Sequence, residues 1–557
     1  PPKLNVLSLQ ESKGLDAIEL TTHLASFGLP GAALQSLVDT FEHAKTFGSL
    51  IQIPTALNAQ LAAMAAVLQQ VLQDGDLYAG QAAKDLLPLV WQGLVLGMQF
   101  DAVVANPPYM GNKYLTPALK PYLKENYKDF DKDLFSAFMV RNIELCRPHG
   151  QLGFMSPFVW MFIATYEPIR DYFIDRATLT SLIQLEYSGF EGATVPICTF
   201  TLTKSKIHNY CGSYIRLSDF RGPDLQAPKT LEAIRNPSCG WLYRTNSDDF
   251  RKIPGKTIAY WLSDGLISSF ETGEPLNKFG TPTVGLQTSN NGRFVRFWPE
   301  VSIENIGINA RSSTEAVKLM RTWFPYNKGG AYCRWYGNHD YVVNWKDNGS
   351  EIKSYVAEKY PYLNGNIDYV VKDRGLYFRE ALSYSKITSG AFCVRWFPPG
   401  FVFDVAGASI FVDDDGQRLA LAGALNSCVA NPFLQAIAPT LNLESGQIAV
   451  FPIKGTRNYP IEVAKELIEI SRGSWDLYEV SWNFPSSPLI SDRTYGSDKL
   501  RESWERYAAH LEEKTRRAVE LERQNNIHFL IEYNLQEEIS PEVLEAQITL
   551  ARGDREK

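Results

Sequence analysis

Four consecutive residues, Asn106-Pro107-Pro108-Tyr109, carry the most specific chemistry in this chain. The amide oxygen of Asn106 and a proline carbonyl are two hydrogen-bond acceptors, which together could hold both hydrogens of an exocyclic amine. The ring of Tyr109 could stack on the planar base that bears this amine. Because the prolines stiffen the backbone, they could aim these groups into a cleft. The tetrapeptide therefore predicts a site for an amino group on a flat ring, although Asn and Pro are also common in ordinary turns.

The residues around this tetrapeptide predict an α/β fold. The apolar run at 101–105 reads as a buried strand that ends at Asn106, and open α/β sheets bind ligands at the carboxyl ends of their strands. Downstream, helices are predicted at 131–146 and 167–175, and strands at 151–155, 181–185 and 194–203. Upstream, 4–9 reads as a short strand and 15–99 as mostly helix. This alternation indicates a parallel, doubly wound sheet.

The pattern of residue types changes near residue 206. Segments become short, aromatic and rich in turns, with Asn-Gly pairs such as those at 291, 348 and 364, which predicts an α+β or mostly β region to about residue 490. From 498 onward, apolar residues recur at helical spacing among dense charges, which predicts an amphipathic helical arm. We therefore expect four segments, at 1–100, 101–205, 206–490 and 491–557.

Net charge, cysteine spacing and hydropathy limit the classes of protein to which this chain could belong. The net charge of −7 gives no support to a generally basic nucleic-acid binder, but binding needs only a local basic cleft. The seven cysteines form no Cys-x-x-Cys pair, which indicates reduced thiols and a cytoplasmic protein. No His/Cys cluster has zinc spacing, so no metal site is predicted. No signal peptide is predicted, and no window reaches the apolar length of a membrane span, the stretch 86–100 coming nearest.

The tetrapeptide and its context resemble the N6-adenine DNA methyltransferases, of the type named PglX in BREX phage-exclusion systems, and the related fused restriction-modification methyltransferases. The catalytic motif of that group is similar to residues 100–109. Further similar segments lie at 41–51, 133–138, 150–157, 189–195, 288–296, 335–345 and 532–543. The resemblance implies a partial Rossmann-like methyltransferase domain with a helical insertion, followed by an α+β target-recognition domain and a C-terminal helical segment.

The resemblance also implies roles for individual residues. Asn106 and the carbonyl of Pro107 would accept from the adenine N6 amine within the catalytic set that Pro108 and Tyr109 complete. Tyr109 and Phe190 would stack on the base after it flips out of the duplex. S-adenosylmethionine (SAM) would be the methyl donor. Phe138 and Asp133 are candidates for binding SAM, although Phe138 could be a core residue, Phe190 an ordinary loop aromatic and Asp133 a helix cap.

Arginines that alternate with aromatic residues predict contacts with double-stranded DNA. The arginines are Arg293, Arg296, Arg334 and Arg395, and Asn338 is a further candidate for contact with DNA. Such interleaving suits phosphate contact and base readout, but it also suits a strand with one packed and one solvated face. The resemblance further implies phage-defence subunits or phage DNA-mimic inhibitors as partners, and no membrane.

The chain departs from the group in one respect. No Gly-rich strand-to-helix loop and no acidic strand end precede Asn106, so the chain looks like the C-terminal portion of a longer enzyme. The alternatives are a catalytically incomplete module that binds DNA or a partner, and part of a fused restriction-modification enzyme. Two other patterns are set aside. Gly255-Lys256-Thr257 lacks the first glycine of a phosphate loop, and Asp340 with Glu351 and Lys353 only superficially resembles a nuclease set.

Overall fold

The computed structural model describes residues 4–187, 189, 195–373, 375–387, 391–438, 442–484, 486–487, 489 and 499–550. The chain divides into two compact units. The first unit is residues 1–251 with 255–261, and the second unit is 252–254 with 262–557. The predicted boundary at 205/206 therefore falls inside the first unit.

A helical layer opens the first unit. Its α-helices are α1 (Ala17–Leu24), α2 (Gly31–Phe41), α3 (Ala44–Phe47), α4 (Thr55–Asp74) and α5 (Leu77–Gly97). Strong helix formers fill α4, and the carboxylate of Asp76 caps α5 by accepting from the Ala79 amide. Leucines from α1, α2, α4 and α5 form one buried cluster. The predicted helical character of 15–99 is confirmed, but 4–9 forms no strand and runs as an irregular segment.

Helix α4 corrects one prediction. It is 20 residues long and contains an 18-residue window with a mean hydropathy of 1.2, so it is long and apolar enough to cross a membrane by length and composition. Alanines and glutamines lengthen its uncharged run without making it strongly apolar. Leu57, Leu61 and Leu68 are fully buried in the helical cluster. A core helix of a soluble protein passes the same test, so this one helix is weak evidence for a membrane span.

The sheet of the first unit follows the helical layer. Its strands are β1 (Phe100–Ala105), β2 (Cys146–Pro157), β3 (Thr178–Gln184), β4 (Ile197–Thr203), β5 (Cys211–Arg216) and β6 (Leu242–Asn246), in the order β1-β2-β4-β3-β5-β6. The helices between them are α6 (Leu119–Asn126), α7 (Leu134–Leu145), α8 (Glu167–Arg176) and α9 (Pro223–Arg235). The strands predicted at 151–155, 181–185 and 194–203 and the helices at 131–146 and 167–175 are all present within a few residues.

The sheet is mixed, not parallel as predicted. β1 pairs with β2 and β3 with β5 in parallel, whereas β4 is antiparallel to both β2 and β3. No helix is assigned in the described part of the connection between β3 and β4, and a parallel pairing would need a long crossover. β5 and β6 then extend the sheet beyond residue 205.

Strand β1 is an edge strand. Among the described residues it pairs only with β2, and Val104 is 84% exposed. The prediction of a buried strand is therefore wrong, because every residue of β1 is at least partly exposed. Its register with β2, from Ala102↔Gln151 to Ala105↔Phe154, fixes where the following turn begins.

The second unit has an α+β fold. One sheet has the order β14-β10-β11-β9 and another β13-β12-β15-β8, and β16 pairs with β7. The strands are β7 (Glu274–Pro275), β8 (Thr281–Thr283), β9 (Val295–Phe297), β10 (Trp323–Asn327), β11 (Tyr341–Asn344), β12 (Ala381–Ser385), β13 (Arg395–Phe397), β14 (Val402–Phe403), β15 (Gly407–Phe411) and β16 (Pro452–Ile453).

The helices of the second unit include the predicted arm. They are α10 (Asp264–Thr272), α11 (Asn291–Phe294), α12 (Ser313–Lys318), α13 (Lys346–Lys359), α14 (Asp368–Val371), α15 (Asp415–Asn426), α16 (Ala430–Ile437), α17 (Ser445–Ala449), α18 (Ile461–Trp475) and α19 (Leu500–Tyr533). The helix predicted from 498 onward is confirmed by α19, which is 34 residues long. α19 packs on α18 and α15, so it is integrated into this unit.

A buried histidine lies in an aromatic cluster of the second unit. The His339 ring is 4.6 Å from the Tyr336 ring and 4.5 Å from the Phe397 ring, and it stacks on Trp482 at 5.9 Å. Burial, reinforced by the positive charge of Arg395, lowers the pKa of His339 to about 3. The folded unit therefore holds this imidazole neutral.

We expect His339 to make the stability of the second unit depend on pH. The unfolded histidine titrates near its ordinary pKa of about 6.5, so as the pH falls below that value the unfolded chain gains a proton that the folded unit does not accept. The free energy of unfolding should fall by about 2 kcal/mol between about pH 7 and pH 5 through this residue alone. Urea unfolding of the wild type and of His339→Phe, which keeps a ring, measures the difference.

Phe401→Leu provides the control, because it alters the same aromatic cluster without removing a titratable group. It should keep the pH dependence of the wild type. Equal pH dependence in His339→Phe and the wild type would contradict the assignment.

Candidate active site

The Asn-Pro-Pro-Tyr turn leaves the end of edge strand β1. Asn106 and Pro108 are exposed, Pro107 is buried, and Tyr109 is 36% exposed. Because β1 and β2 run in parallel, the residues that follow both strands lie at the same end of the sheet, where the carboxyl ends of the two strands meet. The turn therefore lies at the carboxyl end of a strand, as predicted, with Asn106 exposed to solvent.

The two candidate side chains of the turn, those of Asn106 and Tyr109, contact each other. The hydroxyl of Tyr109 donates a hydrogen bond to Oδ1 of Asn106 at 3.0 Å. Burial raises the pKa of Tyr109, so the hydroxyl keeps its proton at neutral pH and remains a donor. The acceptor oxygen that was predicted to receive a substrate amine is thus engaged in this structure. Because an amide oxygen has two lone pairs, it can accept a second donor beside the tyrosine hydroxyl.

Asp133 joins the turn to helix α7. Its Oδ1 accepts from the backbone amide of Met110 at 3.0 Å and from that of Phe135 at 3.3 Å. The second bond is an N-cap of α7, so the cap alternative is confirmed. Desolvation raises the pKa of Asp133, and the backbone donors oppose that rise. Asp133 therefore holds backbone on both sides of the gap between the turn and the helix.

An aromatic wall adjoins Tyr109. The ring of Phe135 meets the Tyr109 ring edge-on, with 6.4 Å between centroids, and Tyr166 packs on Phe135 at 5.4 Å. Burial, with the nearby charge of Asp133, raises the pKa of Tyr166 to about 12. Tyr166 is not among the site residues predicted from the sequence, because its segment has no motif of its own. The wall gives Tyr109 an apolar neighbour on one side.

The residues predicted to bind SAM are engaged elsewhere. The ring of Phe138 packs against a buried cluster that includes Leu119, Leu123 and Tyr127, which is the core alternative. The Asp133 carboxylate serves the amides of Met110 and Phe135. In the described residues, both candidates for SAM binding therefore have structural contacts of their own. Phe190, predicted to stack on the base, lies outside the described residues.

Two of the predicted DNA-contacting residues remain at the surface of the second unit. Arg293 is half-exposed and pairs with Glu351 at 2.6 Å. Arg296 donates to the backbone carbonyls of Gly292 and Val295 and lies over the Trp323 ring. No carboxylate pairs with Arg296 in the described part of the chain. Arg296 is therefore the predicted arginine whose charge is most available.

The remaining candidates have internal contacts. Arg334 forms a buried ion pair with Glu522, whose other oxygen accepts from the Trp335 indole at 2.9 Å. Asn338 is 9% exposed and donates to the Ala331 carbonyl. Arg395 is fully buried and donates to Ser385. These placements argue against the predicted DNA contacts, because a buried side chain cannot reach a phosphate; the aromatic-arginine alternation is partly that of packed strands.

The superficial nuclease pattern is not assembled. Glu351 is paired with Arg293, and Lys353 with Asp373 at 3.6 Å. The described residues include no cluster of three or more His, Cys, Asp or Glu side chains that could hold a metal ion. Glu351 and Lys353 therefore each form a local ion pair in the second unit.

Comparison with known proteins shows which proteins this chain resembles. Residues 41–190 match the family model described as Eco57I restriction-modification methylase. The chain is 32% identical over 520 residues to the adenine-specific methyltransferase BrxX of Escherichia coli O9:H4 (strain HS), which covers 88% of this chain and 41% of that protein. The matched family region includes the turn and the strands that hold it.

Two further relatives are also methyltransferases by name. The adenine-specific methyltransferase PglX of Lacticaseibacillus casei (strain Zhang) is 32% identical over 84% of this chain and 39% of that protein. The type II restriction enzyme and methyltransferase RM.Eco57I of Escherichia coli is 27% identical over 49% of this chain and 26% of that protein. The chain thus spans about two fifths of the length of BrxX and PglX. Over most of its own length it is a relative of the adenine-specific methyltransferases BrxX and PglX, which confirms the resemblance predicted from its sequence.

Proposed function

We propose that the full-length protein methylates adenine N6 in double-stranded DNA with SAM as the methyl donor, and that this chain supplies the side that holds the base. The observation that carries the proposal is the pair Asn106 and Tyr109 at the end of β1, fixed by Asp133 through Met110. The similarity to adenine-specific methyltransferases supports adenine as the base.

The chemistry explains why such a turn is useful. The lone pair of the adenine amine is delocalised into the ring, so the amine is a poor nucleophile. Acceptance of both its hydrogens, by Oδ1 of Asn106 and the carbonyl of Pro107, favours a pyramidal nitrogen and directs the lone pair toward the incoming methyl group. Tyr109 provides a ring face for the base once the base has left the duplex. Positioning and electrostatics then supply most of the acceleration.

The finer architecture follows from the same proposal. The sheet of the first unit would be the later part of a Rossmann-like methyltransferase domain, with α1 to α5 as its helical insertion. The second unit would read the DNA sequence, and α19 would be its helical support. The setting would be bacterial phage defence in the cytoplasm, with defence subunits or phage DNA-mimic inhibitors as partners. The resemblance to the PglX type supports this setting.

A second candidate is a module that binds DNA or a partner without catalysis. It is favoured by one observation, that Phe138 and Asp133 are both engaged in internal contacts. Calorimetric titration of SAM into the isolated chain separates the candidates, because tight binding would contradict the incomplete module.

Substitutions in the turn test the proposed function. In the full-length protein, Asn106→Ala should lower kcat for methyl transfer at least about 100-fold, since one of two preorganised acceptors is lost. Tyr109→Ala should also be severely impaired. Tyr109→Phe keeps the ring and removes only the hydroxyl, so its rate should stay within about tenfold of the wild type. Transfer of labelled methyl groups to duplex DNA measures all three.

Tyr114 is a matched control, because it is a nearby tyrosine that is 72% exposed and lies outside the turn. Tyr114→Ala should leave kcat unchanged. A wild-type rate in Asn106→Ala would exclude the proposed chemistry.

Two arginines distinguish DNA contact from structural support. Arg296→Ala should weaken DNA binding and make the slope of log K against log salt shallower by about 0.9, as expected for one lost phosphate contact. Arg334→Ala should instead lower the free energy of unfolding by about 3 kcal/mol or more, because it leaves the Glu522 carboxylate buried and unpaired. Fluorescence anisotropy across a salt series and urea unfolding measure the two effects. An unchanged salt slope in Arg296→Ala would remove this residue from the interface.

A further inference from the structure

The acceptor turn cannot anchor itself through its prolines. Pro107 and Pro108 have no backbone N–H, so half of the tetrapeptide lacks a donor with which to bind the rest of the fold. Its geometry therefore depends on the residues at its two ends. At the upstream end, the last residue of β1, Ala105, is in register with Phe154 of β2. This pairing fixes the point at which the turn leaves the sheet.

The downstream end is held by Asp133. The first backbone amide after Tyr109 is that of Met110, and it donates to Oδ1 of Asp133 at 3.0 Å. Two backbone bonds flank this contact, from Leu134 to the Met110 carbonyl at 3.1 Å and from Asn112 to the Lys132 carbonyl at 3.2 Å. The segment after the turn thus lies as a short antiparallel bridge against the entrance of α7.

The same carboxylate oxygen also fixes the ring beside the base site. Oδ1 of Asp133 caps α7 through the amide of Phe135 at 3.3 Å. The Phe135 ring in turn meets the Tyr109 ring edge-on. A displacement of Asp133 therefore changes both the backbone position of Tyr109 and the wall against which its ring rests.

We infer that Asp133 is a positioning residue, which sets the place of Asn106 and Tyr109 by holding Met110 and Phe135 with one oxygen. This inference rests on the proposed function, and it assigns Asp133 a task on the base side of the site. It replaces the expectation that Asp133 binds SAM. The carboxylate is half-buried, so water competes weakly for the two amides.

Three variants of the full-length protein test the inference. Asp133→Ala should lower kcat about 10- to 100-fold with little change in KM for SAM, because a small misplacement of the acceptors is costly. Asp133→Asn keeps an acceptor oxygen and should recover most of the lost kcat. Asp76→Ala is the matched control, since Asp76 caps α5 through the Ala79 amide at 2.8 Å far along the chain from the turn. It should lower Tm by a similar amount and leave kcat unchanged.

A second measurement does not require activity. Hydrogen exchange of the Met110 amide should accelerate at least about tenfold in Asp133→Ala, but not in Asp133→Asn or Asp76→Ala. The inference is overturned if Asp133→Ala loses no more kcat than Asp76→Ala, if Asp133→Asn is as impaired as Asp133→Ala, or if KM for SAM rises while kcat is kept. Absence of methyl transfer by the wild type would defeat the proposed function alone, because the exchange of Met110 still decides the role of Asp133.

Discussion

The hydrogen bonds that Asp133 accepts are the constraint on which the candidate site depends. A turn with two consecutive prolines is stiff, but it has few donors of its own, so its orientation must come from outside. The register of β1 with β2 fixes one end, and the Asp133 carboxylate fixes the other. The stiffness of the prolines then transmits these two anchors to the side chains of Asn106 and Tyr109. Rigid placement of acceptors is what an amine-binding site requires.

In the second unit, many aromatic and charged side chains are buried together. The Glu522 carboxylate of α19 accepts from both Arg334 and the Trp335 indole, and this arrangement ties the long helix to the segment before β11. Removal of one partner from such a buried pair costs far more than the intact pair gains. Arg334, which looks suited to nucleic-acid contact in the sequence, therefore contributes to the stability of this unit.

Parts of the fold and site could be predicted because their signals are local. The alternation of apolar and helix-forming residues identified α7, α8 and the strands β2 to β4, and the motif at 106–109 identified the turn. The direction of β4, the exposure of β1 and the task of Asp133 could not be predicted. Each depends on which segments become neighbours in the fold, and a single sequence carries no direct record of those contacts. Arg334 illustrates this, since its partner Glu522 is distant in the chain.

The chemistry of the turn can be predicted from the sequence alone, because proline geometry and the acceptors of asparagine are properties of the residues themselves. The relationship to adenine-specific methyltransferases can also be predicted in this way, through motifs that are contiguous in the chain. The contacts that hold the turn become visible only in the folded chain, that is, in the tertiary structure. It brought Asp133 to the amide of Met110 and the Tyr109 hydroxyl to Asn106, because hydrogen bonds form between groups that are close in space wherever they stand in the chain.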